Sequence, residues 1–337
     1  MVRARVVEII RAGEWWEYKL VPILAAFYAT ALMLRVPVVS LWPAALILLL
    51  ALIPGAAWVS VINDLTDRAD DRAAGKPNRL AGSSRLTIGV LLFLTMGAGA
   101  FFVVLWRNDG LLVSLYLGAW VAFGLYSLAP FRWKTRGFPG VLADAGGAHL
   151  FPTLVAVTVA SRAAAGPVDP VWLGAAALWS LGYGVRGILW HQLRDRDHDH
   201  VAGVRTFVQR HAPSMALWVG RFTLAVELSG LVVLLWRMQS PLLLVFVALY
   251  AVLLTGRRLL WGMRVVLVAP LPRSQLLLQE YYDVFLPIGI LVASSLDAPG
   301  DLIVLGAHLL LFPRRAGHSV LTAGRLLRDR QKRYSSP

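Results

Sequence analysis

The chain has no cysteine among its 337 residues. Disulfides, thiolate nucleophiles and zinc–thiolate sites are therefore excluded. Charge is scarce too. Only 15% of residues are charged, whereas soluble domains carry roughly a quarter. With 58% hydrophobic residues and a mean hydropathy of +0.64, a water-soluble globular domain is excluded as well. The polar–apolar alternation of a membrane β-barrel is missing, because the apolar runs are continuous. Residues 1–19 are mixed and basic and lack a small-residue cleavage site after a short apolar core, so no cleavable signal peptide is expected.

What is present is a series of long apolar runs, at about 20–34, 41–62, 87–106, 111–129, 140–161, 170–190, 214–236, 241–256 and 277–296. They predict an all-α, polytopic transmembrane bundle of about nine core spans. A shorter run, Leu302 to Phe312, follows. The chain divides into a basic N-terminal segment (1–19), a transmembrane domain (20–296) and a short apolar segment with a basic tail (297–337). Trp15, Trp16 and Tyr18 form an interfacial belt before the first span.

Of the 33 Lys and Arg, 27 fall in the N-terminal segment, the even-numbered loops and the tail. Only Arg35, Arg107, Arg162 and Arg237 lie at the opposite ends. The positive-inside rule makes the first set cytoplasmic. It also accounts for the net charge of +14 without a nucleic-acid partner. Nine spans would strand the basic tail outside, so the 302–312 run is expected to cross back as a short tenth span or to re-enter.

The acidic residues carry the chemistry. Seven of 19 sit in two clusters, one running from Asn63 to Asp71 and the other from Asp195 to Asp199. Aligned on Asp67 and Asp195 they read DRADDRAAG and DRDHDHVAG, with five of nine positions shared. They lie four spans apart, both at cytoplasmic ends, as parallel halves of an internal duplication would place them. On a helix, Asn63, Asp67 and Asp71 share one face, as do His191, Asp195 and Asp199. Successive turns set these groups roughly 6 Å apart along the axis. Carboxylates so close need a cation, and oxygen ligands favour Mg²⁺ with substrate phosphate. Two facing clusters suit metal-assisted departure of a diphosphate. Arg72, Lys76 and Arg79 follow the first cluster, Arg205 and Arg210 the second, and Tyr126, Arg132, Lys134 and Arg136 the fourth span. Such side chains are the expected partners of diphosphate oxygens. His191 either removes a proton from an acceptor or donates to a carboxylate. Arg186, Asp144, Glu227, Glu280 and Asp283 lie in or near spans, where ionisable groups are expected to pair.

These residues resemble the UbiA superfamily of intramembrane prenyltransferases. Asn63-Asp64-x-x-Asp67-x-x-x-Asp71 is similar to its first aspartate-rich motif. Asp195 to Asp199 with Gly203-Val204-Arg205-Thr206 is similar to its second, and Tyr126-Ser127 with Pro130, Arg132 and Lys134 to its third signature. The chain departs from the pattern in lacking proline after Arg79 and in carrying His191-Gln192 before the second motif. The resemblance covers about residues 15–296. It implies a helical bundle around a central cavity open to lipid, Mg²⁺ held by Asn63, Asp67, Asp71, Asp195 and Asp199, and a polyisoprenyl diphosphate donor. Asn63, Arg72, Lys76, Arg79, Tyr126, Lys134 and Arg205 become its diphosphate contacts, and Asp67, Asp71, Asp195, Asp199 and His191 the catalytic set. The acceptor is an aromatic compound or another lipid precursor, and membrane lipids surround the whole. A terpene cyclase with the same ionising site is the alternative. Phosphoribosyl transfer to a lipid phosphate and ion-coupled transport stand further off, the latter because transporter sites lie near mid-bilayer.

Overall fold

A computed structural model describes residues 8–73, 75 and 77–335. Each apolar run forms a helix: α1 Leu20–Met33, α2 Trp42–Thr66, α3 Arg85–Leu105, α4 Gly110–Ser127, α5 Phe138–Ala163, α6 Pro170–Arg194, α7 Pro213–Met238, α8 Leu242–Trp261 and α9 Leu286–Asp297. Two more follow, α10 Asp301–Leu311 and α11 Pro313–Ser335. Among the described residues, six helices are long and apolar enough to cross a membrane: α2, α3, α4, α5, α7 and α8. Among the described residues, strands are confined to β1 Arg264–Val266 and β2 Ser274–Leu276, a short parallel pair in the α8–α9 connection.

Local chemistry sets the helix starts. Ser84 caps α3, Asp109 caps α4, and Asp169 caps α6 by accepting from the amides of Val171 (2.8 Å) and Trp172 (3.0 Å). Proline opens α2, α5, α6 and α7, where a missing amide proton costs nothing. The outer surface is apolar, with Leu86, Phe93, Trp218, Trp236, Val252 and Leu259 all exposed. That inversion fits a lipid solvent. The core is lined by α1, the most deeply buried helix. α6 and α7 approach closely because Gly182 lies on Thr223 and Glu227, and Gly230 on Ala175 and Trp179.

The expected pairing of intramembrane charges is present for Arg186, Glu227, Glu280 and Asp283, whereas among the described residues Asp144 forms no ion pair. Arg186 and Glu227, both fully buried, form a two-bond pair (2.6 and 2.7 Å) that also receives the Tyr282 hydroxyl (2.6 Å). Arg257 pairs with Glu280, and Arg315 with Asp283 (2.6 Å). On the face opposite the acidic motifs, Arg162 pairs with Asp109, Arg237 with Asp169, and Arg35 bonds Gln239.

α10 spans eleven residues, a rise of about 16 Å, which is less than a full bilayer core. Its two ends nevertheless reach opposite ends of α1. At the start, buried Asp301 accepts from the amides of Val38 (3.1 Å) and Val39 (2.7 Å), beyond the end of α1. At the finish, the Leu311 carbonyl accepts from the Trp16 indole (2.8 Å), and Glu17 accepts from the amides of Arg314 and Arg315. α10 therefore runs antiparallel to α1 along its whole length. The start of α11 lies on the same face of the bundle as residues 11–19.

Candidate active site

The two acidic motifs fold alike. α2 and α6 are both 25 residues long and end one residue before Asp67 and Asp195. These aspartates have near-identical backbones, φ −98°, ψ 2° and φ −91°, ψ 5°. A six-residue helix follows each, Arg68–Ala73 and Arg196–Val201, and then a left-handed glycine, Gly75 or Gly203. Asn63, Asp67 and Asp71 thus do not share one unbroken helix, because the backbone turns at the aspartate. The i, i+4 amide bonds persist across both turns, at 2.9 and 2.8 Å in the first motif and 3.0 and 2.9 Å in the second. The faces predicted from spacing survive for that reason. The ψ near zero belongs to the sparsely allowed bridge region, common at functional residues.

The first motif is threaded with bases. Asp67 pairs with Lys134 and lies 3.5 Å from Arg132. Arg132 also holds Asp70 (2.7 Å). Asn78 donates to Asp71 (2.8 Å), and Ser127 donates to Asn63 (2.5 Å). Asp64 is fully buried against Arg11, and among the described residues its Oδ2 has no hydrogen-bond partner. Burial pushes the Lys134 ammonium down to about 8, against the opposing pull of the Asp199 carboxylate. One lysine therefore lies between the motifs, bonded to Asp67 of one and within the field of Asp199 of the other.

Beneath the motifs is a cavity of about 350 Å³. Its mouth is polar, with Arg11, Glu14, Lys19, Asn63, His191 and Asp195; deeper in, Trp58, Trp120, Phe123 and Tyr116 form the walls. Along α2 it reaches from Asn63 to Ala51, a depth of about 18 Å at helical rise. The lining helices are irregular where they face it. α2 carries Pro54-Gly55, which removes one helical rung, and α5 carries the π-turn Gly146–Leu150. Gly147 lies so close to Phe123 that a Cβ would sit 2.6 Å from the ring.

Of the residues singled out from sequence, Asn63, His191 and Asp195 line the cavity, and Asp67, Lys134 and Asp199 converge beside it. Arg79 instead pairs with Glu14, and Arg72 and Arg205 are exposed and outside the cavity lining. Tyr126 is half-buried and outside the cavity lining. Lys76 lies outside the described residues. Sequence reasoning missed Arg11, Glu14, Lys19 and Arg194 at the mouth, reading the basic ones as topology charges.

The donors of Asn63, Asp67, Asp71, Asp195 and Asp199 are all oxygen, which suits a hard divalent cation. Among the described residues no three His, Asp or Glu side chains form a ready cage. Mg²⁺ needs none, since it keeps waters and binds through one or two carboxylates plus phosphate.

Fold and site define a membrane-embedded helical enzyme with an apolar cavity under an acidic, base-threaded mouth. A sequence profile of the UbiA prenyltransferase family matches residues 20–266, and the chain belongs to that family. Solved structures of a UbiA homologue from Archaeoglobus fulgidus have the same fold. The one bound to DMAPP and Mg²⁺ has a TM-score of 0.54 at 14% identity, and the one bound to GPP and Mg²⁺ a TM-score of 0.52 at 14%. In both, 90% of this chain and 99% of the other are covered. No curated protein matches the chain in sequence.

Proposed function

We propose that this protein is an intramembrane, Mg²⁺-dependent prenyltransferase that ionises a polyisoprenyl diphosphate and transfers the prenyl group to an aromatic or other lipid-precursor acceptor. The observation that carries this is the cavity, with aromatic walls below and two aspartate motifs at its mouth. An apolar chain fits the depth, and its diphosphate lies at the mouth. The family membership and the ligands of the Archaeoglobus homologue support the same assignment.

Asn63, Asp67, Asp71, Asp195 and Asp199 are the residues to hold Mg²⁺, which when bound neutralises the departing diphosphate. Lys134 and Arg132 sit at the first motif to donate to diphosphate oxygens, and Arg72, Lys76 and Arg205 are further candidate donors from the loops after the two motifs. The carbon–oxygen bond breaks with its electron pair leaving on the diphosphate. Trp58, Trp120 and Phe123 face the resulting allylic cation and exclude water that would capture it. The acceptor forms the new bond to carbon, and His191 at the mouth takes its proton. An ion-coupled transporter is less well supported, since all five candidate ligands lie at one end of the bundle rather than midway.

Purified protein with Mg²⁺ and a panel of prenyl diphosphates, with and without membrane extract, tests the proposal by mass spectrometry. A prenylated acceptor is the expected product. A cyclic hydrocarbon or alcohol formed without extract identifies the cyclase alternative. Absence of diphosphate release from every allylic donor overturns both.

A further inference from the structure

Away from the cavity, α11 lies across the acid-bearing face of the bundle. Its inward row is Arg315, Ser319, Thr322, Leu326 and Asp329, at alternating spacings of four and three. Leu326 touches Gly256, and Asp329 accepts from the Trp261 indole (2.9 Å), both at the end of α8. Every acid in this corner is turned inward and engaged. Glu17 accepts two amides of α11, Asp283 holds Arg315, Glu280 holds Arg257, and Asp329 holds Trp261.

What remains outside has one sign. Arg314, Arg325 and Arg328 are exposed on α11, and Arg258, Arg264 and Arg273 on the adjoining end of α8 and the 262–276 connection. Among the described residues none of the six has an acidic partner. Arg314, Arg325 and Arg328 share one flank of α11 by helical periodicity. Val320 and Leu327, seven apart, share the other and are 71% and 63% exposed. Leu259, on the end of α8 that α11 contacts through Leu326 and Asp329, is also 71% exposed. An arginine flank beside an apolar flank, at the end of a membrane bundle, has the anatomy of an interfacial helix.

We infer that this corner binds the headgroups of anionic phospholipids, the arginines meeting phosphate and Val320 and Leu327 entering the acyl boundary. An acidic protein or nucleic acid would match the charge but leave the apolar flank uncovered; a lipid surface matches both.

The test uses the full chain reconstituted in nanodiscs of zwitterionic lipid alone or with added phosphatidylglycerol. Amide hydrogen exchange is followed across residues 313–329. Phosphatidylglycerol should slow exchange there roughly tenfold, and a combined Arg314→Gln, Arg325→Gln, Arg328→Gln variant should lose that response. High salt should weaken it. Exchange in α2 and α6 reports whether the variant is folded. Equal exchange in both lipids overturns the inference. So does equal slowing by inorganic phosphate in zwitterionic discs, which would assign the patch to a soluble anion.

Discussion

Asp67 and Asp195 occupy the same bridge-region turn after helices of the same length, and the cavity opens on Asn63 of the first motif and Asp195 of the second. Asp67→Asn and Asp195→Asn should each lower turnover at least ~10²-fold, since metal-ion stabilisation of the transition state supplies several kcal/mol. Unfolding temperature in detergent should stay unchanged. Near-normal turnover in both variants would remove these residues from the site. Asp169 tests a structural carboxylate instead. The Trp172 amide, with Val171 and Arg237, holds its carboxyl below the usual range. A lowered folded value means stability that is complete above the unfolded value of about 3.9 and lost as pH falls through the folded one. Asp169→Ala should therefore cost about 1 kcal/mol at neutral pH, and the gap in unfolding temperature should close below pH ~4. A gap independent of pH would show that charge is not involved. The repeated acids were legible because their spacing is local. Arg11 and Glu14 were not, because Arg11 reaches Asp64 and Glu14 reaches Arg79 only after the N-terminal segment folds back over more than fifty positions.

At the scale of the element, α6 and α7 pack through glycine. A Cβ on Gly230 would sit 2.4 Å from the Ala175 carbonyl oxygen, and one on Gly182 2.6 Å from that of Thr223. Backbone cannot yield as a side chain can. Gly182→Ala and Gly230→Ala should each destabilise by about 1–3 kcal/mol, read as thermal unfolding in detergent. Gly174→Ala and Gly187→Ala, on the same α6 but with nothing near, should be neutral or slightly stabilising. If all four behave alike, close packing of these two helices is not what the glycines serve. The helices themselves were legible as apolar runs, six of them long and apolar enough to cross a layer of fixed thickness. The π-turn at Gly146–Leu150 and the break at Asp67 were not, because a one-residue change in winding leaves no mark on hydropathy.

For the whole molecule, two opposite faces emerge from the contacts. One carries residues 11–19, both acidic motifs and α11, and the other carries the Asp109, Asp169 and Asp301 caps. The excess of basic residues on the first predicts that it faces the cytoplasm. Because the chain lacks cysteine, Ala81→Cys and Arg107→Cys can report this without background. In intact cells an impermeant thiol reagent should label position 107 and spare 81. The reverse pattern would invert the topology. A C-terminal tag should share the protection of position 81, since α10 returns the chain to that face.

The sequence by itself determined that the long apolar runs become helices and in what order, the side on which charge accumulates, and the two matching aspartate motifs. These depend on composition and on spacing within a turn or two, which a linear chain encodes directly. Tertiary structure decided which base meets which acid, which aromatic rings wall the cavity, and where the tail goes. Lys134 meets Asp67, and Arg132 meets Asp70, only because the α4–α5 connection folds over the first motif. α10, too short by length to be assigned a path from sequence, is carried to the opposite face because Asp301 is anchored to Val38 and Val39 at one end and Glu17 receives α11 at the other. Such contacts join residues from 62 to 298 positions apart, and their energy depends on distance in space, which spacing along the chain does not contain.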